Sequence, residues 1–535
     1  MGRYKRQSIR LKASIRKMVD AGIAMPTGAS LPDAKNSGYA DHGAAHNTPA
    51  FENFRSTSTS PQRDIYAALP TLRSRSRVLA ISAPLVTSAL RTLRTYVVGR
   101  GLHLHCMPDF EVLGMSREQA KTWAQDVERE FELWAADKNS VDVLGLADFY
   151  ELQQLAYKSW KESGDAFVVF RDGGRNPLRP YSLRVQLLEA DRVCSPIMTS
   201  AGMSVFDQSV TLTNGNKCYC GVEVDKVTGA IVAYHIASDY PQNGVNLKFE
   251  RIEKIGKKTG MPNIIHLMDA ERPEQLRGVP FVAPVIEPQL QLARYLNSEA
   301  TAALFENYHS AYIKTPDSGK PILEQGMPGG DDEQQERDLS ELEPQPGGVF
   351  QLNPGEDIVF NDPKRPGTQF APFTEALAKY IGAALEIPGD VLMKSYNSSY
   401  SASRAALQDF WRKVEMERDW FAYDFCSTIF EQWLFEAVAL GRVNAPGFFS
   451  DIRARRAWCK HQWNGSAMPH LDPVKEARAL QIMVGHGWLT NEQATTQLNG
   501  GDWNANVADL EHEQERLGNI EHIFINDNDN GEQEK

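Results

Sequence analysis

Apolar residues recur at helical spacing in the first part of the chain and at alternating positions further on. Between residues 64 and 98 they fall on one broad face of a predicted helix, at Leu72, Val78, Leu79, Leu85, Leu90, Leu93 and Val97. Two more helices are predicted, at about 116–137 and 146–163. The period then changes to two, which predicts strands at Ala166–Phe170, Leu183–Leu188, Cys218–Val224, Ala230–Ile236 and Ile264–Met268. The pattern therefore indicates a mixed α+β body.

The second half of the chain alternates predicted helices with polar segments. Pro284 and Pro288 precede a helix that is predicted to end near residue 308, because proline suits the first turn of a helix. A Gly-, Pro- and acid-rich segment comes next. A helix is predicted again at Phe373–Glu386 and ends before Pro388.

A polar stretch then separates this helix from a much longer one. Residues 387–403 read IPGDVLMKSYNSSYSAS, and their second half is too polar to be core. The long helix is predicted from about 403 to 440 and carries an unusually aromatic apolar face. Two shorter helices are predicted later, one starting at Asp472-Pro473 and one at the capping-box pattern of 490–493.

The two ends of the chain differ in composition from its middle. The first 60 residues combine a basic start with a Gly/Ser/Ala/Asn/Pro-rich stretch, which predicts a flexible arm. This arm is either a disordered leader or a segment that orders on contact with another protein. From Asp502 onward ten acidic residues face two basic ones, and this segment is predicted to be a disordered tail. Neither a secretory signal nor a membrane-spanning run of apolar residues is expected.

Charge and cysteine content narrow the function. At 535 residues, three or four domain-sized units are expected. The formal net charge is −12, whereas proteins that grip duplex DNA are usually basic because Lys and Arg make the phosphate contacts. The charge argues against tight, general DNA binding but is compatible with a protein past which DNA slides. Six scattered cysteines do not form a disulfide framework and favour a reducing setting.

Arginines are interleaved with the apolar residues of the first predicted helix, at Arg73, Arg75, Arg77, Arg91 and Arg94. We interpret them as a solvated or subunit-facing surface. A DNA-facing stripe is the alternative, and spacing alone leaves both interpretations open.

No catalytic motif is recognisable. The nearest match to a phosphate-binding loop is Gly256–Thr259, but Arg251 stands where a P-loop has its first glycine and Lys258 where it has its hydroxyl. His103–Cys106 reads H-x-H-C, and alternation along a strand would place both imidazoles on one face. No second ligand pair is recognisable nearby, so exposed strand residues are preferred over a metal site. We therefore expect no enzyme activity, cofactor or metal.

Several segments resemble a known family. Residues 387–412, which run from Ile387-Pro-Gly-Asp-Val-Leu through Tyr396-Asn-Ser-Ser-Tyr-Ser-Ala-Ser-Arg404 to Phe410-Trp411-Arg412, closely resemble the lambda-type family of tailed-phage portal proteins. So does Arg272–Pro280, which reads RPEQLRGVP. Looser matches are Leu93–Gly101, Asp142 with Phe149 and Gln153, and Gly164–Phe167, in which Asp165 stands where Glu is expected. The likeness covers roughly residues 64–500.

The resemblance implies a portal fold of the α+β class, with a mixed α/β wing, a helical stem, a small clip and a helical crown. The implied divisions are a flexible basic arm at 1–60, the wing at 61–280, a stem helix at 281–310, the clip at 311–370, a second stem helix at 371–387, a tunnel loop at 388–402, the long wing helix and return at 403–465, the crown at 466–502 and an acidic disordered tail at 503–535.

The function that the resemblance implies is structural. The chain would be a portal-vertex subunit that forms a ring, usually of twelve copies, through which double-stranded DNA is packaged into and ejected from a capsid. The implied partners are other copies of the chain, double-stranded DNA, the terminase large subunit, a head–tail connector protein, and the major capsid and scaffold proteins, with no membrane. The implied location is the capsid vertex of the virion, and the host cytoplasm during assembly.

Two sets of residues have roles in this interpretation. The tunnel loop would face DNA through Lys394, Ser395, Tyr396, Asn397, Ser398, Ser399 and Tyr400. The clip would dock the terminase and then the connector through Asp331, Asp332, Glu333, Glu336 and Asp338. For the acidic clip residues, an ordinary solvated loop stays open as the alternative.

Two other classes of protein remain as alternatives. A capsid-shell or scaffold protein would assemble into shells or irregular oligomers instead of rings. An enzyme of DNA packaging would carry ATPase or nuclease motifs, which this sequence lacks.

Overall fold

A computed structural model of the chain describes residues 59–196, 209–241, 247–308, 312–314, 357–359, 370–396, 399–468, 472–501 and 503–517.

Proline determines where the first helices begin. The first helices are Pro61–Tyr66 (α1), Leu69–Ser82 (α2) and Pro84–Val97 (α3). The prediction of one continuous helix over 64–98 is therefore wrong. Ala83 is extended at φ −107° and ψ 108°, because the residue before a proline is driven out of the helical region.

The next elements confirm the helices predicted at about 116–137 and 146–163. They are His103–Cys106 (β1), Phe110–Leu113 (α4), Arg117–Ala135 (α5), Lys138–Val141 (α6) and Phe149–Ser163 (α7). Capping boxes start the two long helices, at Ser116 with Gln119 and at Asp148 with Glu151. Each box satisfies two backbone groups that the first helical turn leaves free.

Two antiparallel sheets make up the strand-rich middle. The strands are Asp165–Asp172 (β2), Leu183–Glu189 (β3), Ser209–Thr211 (β4), Lys217–Tyr219 (β5), Val222–Val224 (β6), Ile231–Ala237 (β7), Phe249–Glu253 (β8) and Ile264–Met268 (β9). One sheet has the order β3-β2-β9 and the other β4-β5-β6-β7-β8. The strand predicted at 218–224 is two strands, because Cys220 (φ 46°) and Gly221 (φ 89°) form a two-residue hairpin turn. The other four predicted strands are confirmed to within two residues.

The second half is helical, as predicted. Its elements are Ile286–Tyr308 (α8), Tyr312–Lys314 (β10), Asp357–Val359 (β11), Phe370–Ala384 (α9), Gly389–Met393 (α10), Tyr400–Phe421 (α11), a π-helical segment at Ala422–Ser427, Thr428–Ala439 (α12), Ile452–Trp458 (α13), His461–Asn464 (β12), Pro473–Gly485 (α14), Asn491–Asn499 (α15) and Trp503–Leu517 (α16). β10 pairs with β11, and β12 pairs with β1. No helix among the described residues has the length and apolarity needed to cross a membrane.

The expectation of a disordered tail from residue 503 is wrong for its first part. Trp503–Leu517 is the helix α16, and residues 518–535 lie outside the described part. The acidic composition that suggested disorder also includes Ala, Leu, Glu, Gln and Arg, which are strong helix formers.

The described residues from Ser60 onward form one compact unit with a main core of helices and a smaller core between the sheets. In the main core, the Phe131 ring lies 5.1 Å from that of Trp433 and 5.4 Å from that of Phe149, which joins α5, α12 and α7. In the smaller core, the rings of Phe167 and Tyr234 lie 5.6 Å apart, which joins β2 to β7. Buried aromatic pairs contribute more than their area alone.

A buried carboxylate connects these two cores. Asp165, the first residue of β2, is fully buried and accepts hydrogen bonds from Arg277 Nε at 2.6 Å and Arg73 Nη2 at 3.0 Å. The Gly278 N–H also donates to it, at 3.2 Å, and His266 Nε2 lies 3.4 Å away. Burial alone would raise the pKa of Asp165, but the two guanidinium groups hold it well below its usual range. Asp165 is therefore an anion in the folded chain.

Arg277 extends this network to the second sheet. Its guanidinium donates to the carbonyl oxygens of Ala190 at 2.7 Å and Val193 at 2.8 Å, and also to that of Cys220 in the β5–β6 turn. Arg73 also reaches the Asp191 carboxylate at 3.4 Å. One buried ion cluster thus ties α2, both sheets and the segment before α8 together.

Two glycines allow the backbone to close around Asp165. A Cβ on Gly278 would lie 1.8 Å from the carbonyl oxygen of Gly164, closer than any real contact. Gly164 has φ +89°, a conformation that side chains rarely adopt. The segments Gly164–Phe167 and Arg272–Pro280, which carry part of the family resemblance, therefore meet at this point.

Replacing Asp165 with Asn should unfold the chain far more easily than replacing an exposed carboxylate. Asp165→Asn leaves Arg73 and Arg277 buried without their anion, and breaking a buried ion pair in this way costs about 3–5 kcal/mol. The free energy of unfolding from urea titration checks this. Glu250→Gln is the matched control: its partner Arg171 is 2.6 Å away, but Glu250 is exposed and Arg171 is only partly buried, so a loss below about 1 kcal/mol is expected. Equal losses in both variants would contradict the central role of Asp165.

Candidate functional site

The polar segment between α9 and α11 is mostly held in place by the core. Leu385, Ile387, Val391 and Leu392 are buried. The Ile387 N–H donates back to the Gly382 carbonyl at 2.9 Å and ends α9. Of the loop predicted at 388–402, residues 389–393 form α10, and α11 begins at Tyr400. The non-helical part is therefore shorter than predicted, because the apolar side chains of IPGDVL fold a helical turn onto the core.

Two hydrogen bonds anchor this segment to α3. Ser88 Oγ donates to the Leu392 carbonyl at 2.9 Å, and Lys394 Nζ donates to Thr92 Oγ1 at 2.9 Å. Lys394 is the left-handed C-cap of α10, with φ 55°, and this turn directs its side chain back to α3. Burial lowers the pKa of Lys394. The ammonium group of Lys394, one of the predicted DNA-facing residues, is thus bound to the chain's own helix.

The residues after Lys394 are the exposed part of the segment. The Ser395 N–H donates to the Asp390 carbonyl at 3.1 Å, whereas the Tyr396 side chain is 62% exposed. Ser399 is exposed and caps α11 by accepting from the Ala402 N–H at 3.4 Å. Asn397 and Ser398 lie outside the described residues. Among the predicted tunnel-loop residues that the structure describes, Lys394, Tyr396 and Ser399 are exposed, and Tyr396 carries the large exposed side chain.

A groove of about 550 Å³ lies beside this anchor, between α3 and Lys394. Its walls carry hydroxyl groups and one exposed guanidinium; the polar members are Ser82, Thr87, Ser88, Arg91, Thr92, Thr95 and Lys394. Four of the hydroxyls donate to carbonyl oxygens: Ser82 to Val78, Thr87 to Ala80, Ser88 to Leu392 and Thr95 to Arg91. Their lone pairs remain as acceptors, so the groove can exchange hydrogen bonds but contains no nucleophile paired with a base.

The middle and the last turn of α11 pack on the end of α3. Arg418 donates through Nη2 to the Tyr96 carbonyl at 2.7 Å and through Nε to the Val97 carbonyl at 2.9 Å. These bonds satisfy carbonyls that the last turn of α3 leaves free. The Tyr96 ring also lies 5.3 Å from that of Phe410. The resembling segments Leu93–Gly101 and 387–412 therefore form one contact.

A second buried ion cluster fixes α11 from its other side. Glu417 is buried and lies 3.3 Å from the ammonium of Lys161 and 3.6 Å from that of Lys413. It also accepts a short hydrogen bond from the Tyr157 hydroxyl. Lys413 in turn bonds the Leu385 carbonyl at 3.1 Å. The long helix is thus tied to α7 and to the end of α9.

The H-x-H-C sequence forms the strand β1, as predicted, but the expectation that its residues are exposed is wrong for two of them. His105 Nε2 lies 2.8 Å from Glu492 and Nδ1 lies 3.4 Å from Glu128, and Cys106 is buried. Among the described residues no group of three or more His, Cys, Asp or Glu side chains is placed to hold a metal ion. The clip residues Asp331, Asp332, Glu333, Glu336 and Asp338 lie outside the described part of the chain.

Comparison with known proteins establishes the family. The model of the lambda family of phage portal proteins matches residues 48–418. The chain belongs to this family. Its function is therefore that of a structural subunit of the portal vertex of a virion.

Portal proteins of known phages are similar over most of the chain. Portal protein B of Escherichia phage lambda is 22% identical, over 76% of this chain and 76% of the relative. The portal protein of Escherichia phage N15 is 22% identical, over 76% and 77%. The probable portal protein of Halomonas phage phiHAP-1 is 24% identical, over 80% and 77%.

Solved structures of gene transfer agent particles are also similar. A chain from the neck of a native particle, computed with C12 symmetry, matches with a TM-score of 0.40 at 14% identity, over 79% of this chain and 92% of that one. A chain from the neck of an empty particle, computed with C6 symmetry, matches with a TM-score of 0.42 at 14% identity, over 79% and 93%. Because these TM-scores are below 0.5, the family membership does not rest on the structural similarity.

The ion clusters are what sequence reasoning missed. Arg73 and Arg77 were interpreted as a surface, yet Arg73 is 5% exposed and both arginines bind Asp191. Arg91, in contrast, is exposed. In the sequence, the family resemblance of the segments around Asp165 and Arg277 pointed to both halves of the cluster. It did not show that these two segments are in contact.

Replacing Thr92 with Val should loosen the segment after α10 without unfolding the chain. The substitution keeps the side-chain shape but removes the acceptor for Lys394, and one hydrogen bond to a charged group is worth about 1.5–3 kcal/mol. Backbone amides of 392–396 should exchange with deuterium about tenfold faster, measured by mass spectrometry. Thr95→Val is the control, because Thr95 bonds only the Arg91 carbonyl of its own helix. Unchanged exchange in Thr92→Val would show that Lys394 does not anchor the segment.

Proposed function

We propose that the subunit assembles into a ring, of twelve copies in the simplest case, whose central channel passes double-stranded DNA during packaging and ejection. The order of elements supports this: α8, an excursion that includes β10 and β11, the returning helix α9, the short exposed segment after α10, and the long helix α11. We assign these to stem (281–310), clip (311–370), second stem helix (371–387), tunnel loop (388–402) and long wing helix (403–465). Residues 61–280 form the wing and 466–502 the crown.

The observation that carries the proposal is the anchoring and exposure of the described residues on either side of 397–398. Lys394 is bound to α3 and Ser399 caps α11, while Tyr396 between them is exposed. A short polar segment that is fixed at both ends can present hydroxyl groups to a moving duplex and exchange hydrogen bonds with it. The formal −12 charge of each subunit disfavours stationary phosphate contacts. Tyr396, with Asn397, Ser398 and Tyr400, is our candidate for the DNA-facing surface, and Lys394 and Ser395 position it.

Replacing Tyr396 with Ala should change DNA packaging or retention while leaving the rings intact. The exposed ring of Tyr396 adds nothing to the core, so the ΔG of unfolding should change by less than about 0.5 kcal/mol. Packaged DNA per particle is the measurement. Lys394→Ala is the second variant, and it should act through the position of the loop.

Negative-stain images are the control for both variants and should show rings with a central hole. A stable monomer of the unsubstituted chain at high concentration would contradict the ring. Intact rings with unaltered DNA packaging in both variants would contradict the proposal that this segment faces DNA.

The acidic run at 331–343 is our candidate docking surface for the terminase large subunit and afterwards for a head–tail connector. Its composition supports this, since a concentrated negative charge attracts basic partner surfaces. Changing Asp331, Asp332 and Glu333 together to Lys should weaken the binding of both partners at least about tenfold. The loss of affinity should be greater at low salt. Pull-down and binding titration measure these affinities, and unchanged binding would contradict the docking role. An equal number of substitutions in the exposed residues Glu511, Glu513 and Glu515 of α16 provides the matched control.

A further inference from the structure

The C-terminal helices α14, α15 and α16 meet the rest of the subunit without a shared core. None of the described residues of these three helices is buried. The residues Val474, Ile482, Trp488 and Leu510 are all more than half exposed. Burial of apolar side chains normally supplies most of the free energy that holds elements together. These helices must therefore be held in their position by something else.

A cavity of about 680 Å³ lies at this junction. The body contributes Trp411, Arg418 and Asn464 to its walls, and the C-terminal helices contribute Glu476, Leu480 and Thr496. The Asn464 Oδ1 atom is buried and finds no hydrogen-bond partner among the described residues. An open junction of this kind loses the dispersion contacts that close packing would supply. Polar contacts across the junction therefore matter for the position of the helices.

The strongest of these contacts is centred on His105 of β1. Its Nε2 lies 2.8 Å from a carboxylate oxygen of Glu492 on α15, and its Nδ1 lies 3.4 Å from Glu128 on α5. His105 is 18% exposed, Glu128 22% and Glu492 43%. A longer ion pair across the junction joins Arg404 to Glu476 at 3.9 Å. The imidazole thus bridges a carboxylate of the body and a carboxylate of the C-terminal helices.

The body's half of this bridge is already formed without the helices. Glu128 Oε1 accepts a hydrogen bond from the backbone N–H of Cys106 at 2.6 Å, which fixes the carboxylate beside His105. The residue opposite His105 across the strand pair is Gln462, which carries no charge. Glu128 and Glu492 are the ionisable groups that face the imidazole from the neighbouring elements.

We infer that His105 is the centre of a proton-dependent clasp, which docks the C-terminal helices 473–517 onto the body when the imidazole is charged and releases them when it is neutral. A charged imidazole donates from both nitrogens and so satisfies Glu128 and Glu492 together. A neutral imidazole donates from only one nitrogen, so one of the two carboxylates then faces the lone pair of the other nitrogen. The clasp therefore depends on a proton.

The electrostatics agree with this geometry. The hydrogen bond with Glu128, and the charges of Glu128 and Glu492, outweigh the effect of burial and raise the pKa of His105 to about 9. A raised pKa means that the docked form binds the proton more tightly than the undocked form. Docking is therefore strongest at low pH and is lost as the pH rises through about 9. Glu128 stays beside His105 after undocking, so only the contribution of Glu492 is linked to docking.

Hydrogen–deuterium exchange of the full chain tests this inference. Exchange rates of α14–α16, divided by the intrinsic rate at each pH, should rise about three- to tenfold between about pH 7 and about pH 9. The peptides of α2 and α7 serve as internal references and should not change. His105→Gln cannot be charged, so its C-terminal helices should exchange faster already at about pH 7 and show no further rise.

Two further variants separate the clasp from a general loss of stability. Glu492→Gln removes the charge that is linked to docking, and should also flatten the pH profile, whereas the unfolding midpoint of the body stays unchanged. His486→Gln is the matched control, because this exposed histidine stacks on Trp488 within the C-terminal helices and should leave the wild-type profile intact. A wild-type pH profile in His105→Gln would overturn the inference. The result does not depend on ring formation, so it is independent of the proposed channel.

Discussion

The rest of the structure depends on the buried anion of Asp165. Its carboxylate is the only feature of β2 that binds α2, through Arg73, and the segment leading into α8, through Arg277, at the same time. Arg277 then reaches the second sheet by donating to the Cys220 carbonyl in the β5–β6 turn. Desolvating a carboxylate is expensive, so such a cluster persists only when every charge and donor has a partner. Because every buried charge and donor needs a partner, the cluster favours one relative arrangement of the helices and sheets. Apolar packing alone would be compatible with several arrangements.

The same principle recurs around α11 at a smaller scale. Glu417 is shared by Lys161 and Lys413, and Arg418 closes the end of α3. These contacts fix α11, which follows the polar segment, while the hydrogen bonds of Leu392 and Lys394 with α3 anchor the segment itself. Its exposed part can then stay polar and weakly interacting.

The C-terminal helices show the contrasting case. Within 473–515, none of the residues whose burial the structure describes is buried, and an ion pair that connects these helices to the body is formed by a partly exposed histidine between two carboxylates. Ion pairs that remain open to solvent contribute little free energy and respond to pH and salt. The subunit therefore combines a body held by fully buried charges with a terminal segment held by titratable ones. The difference in burial of the two kinds of ion pair gives the two parts different stabilities.

The sequence by itself determined the helical or strand periodicity of each element, the starts of helices at proline and capping residues, and the family. Each of these depends on residues that are neighbours along the chain. Strand β9 and the capping boxes of α5, α7 and α15 were predictable for that reason. It also placed Gly164, Asp165, Arg277 and Gly278 in resembling segments. Only the tertiary structure decided that Arg73 faces inward, that Lys394 turns back to Thr92, and that His105 meets Glu492 387 residues later in the chain. The partners of a charge are set by three-dimensional packing, which spacing along the chain does not encode.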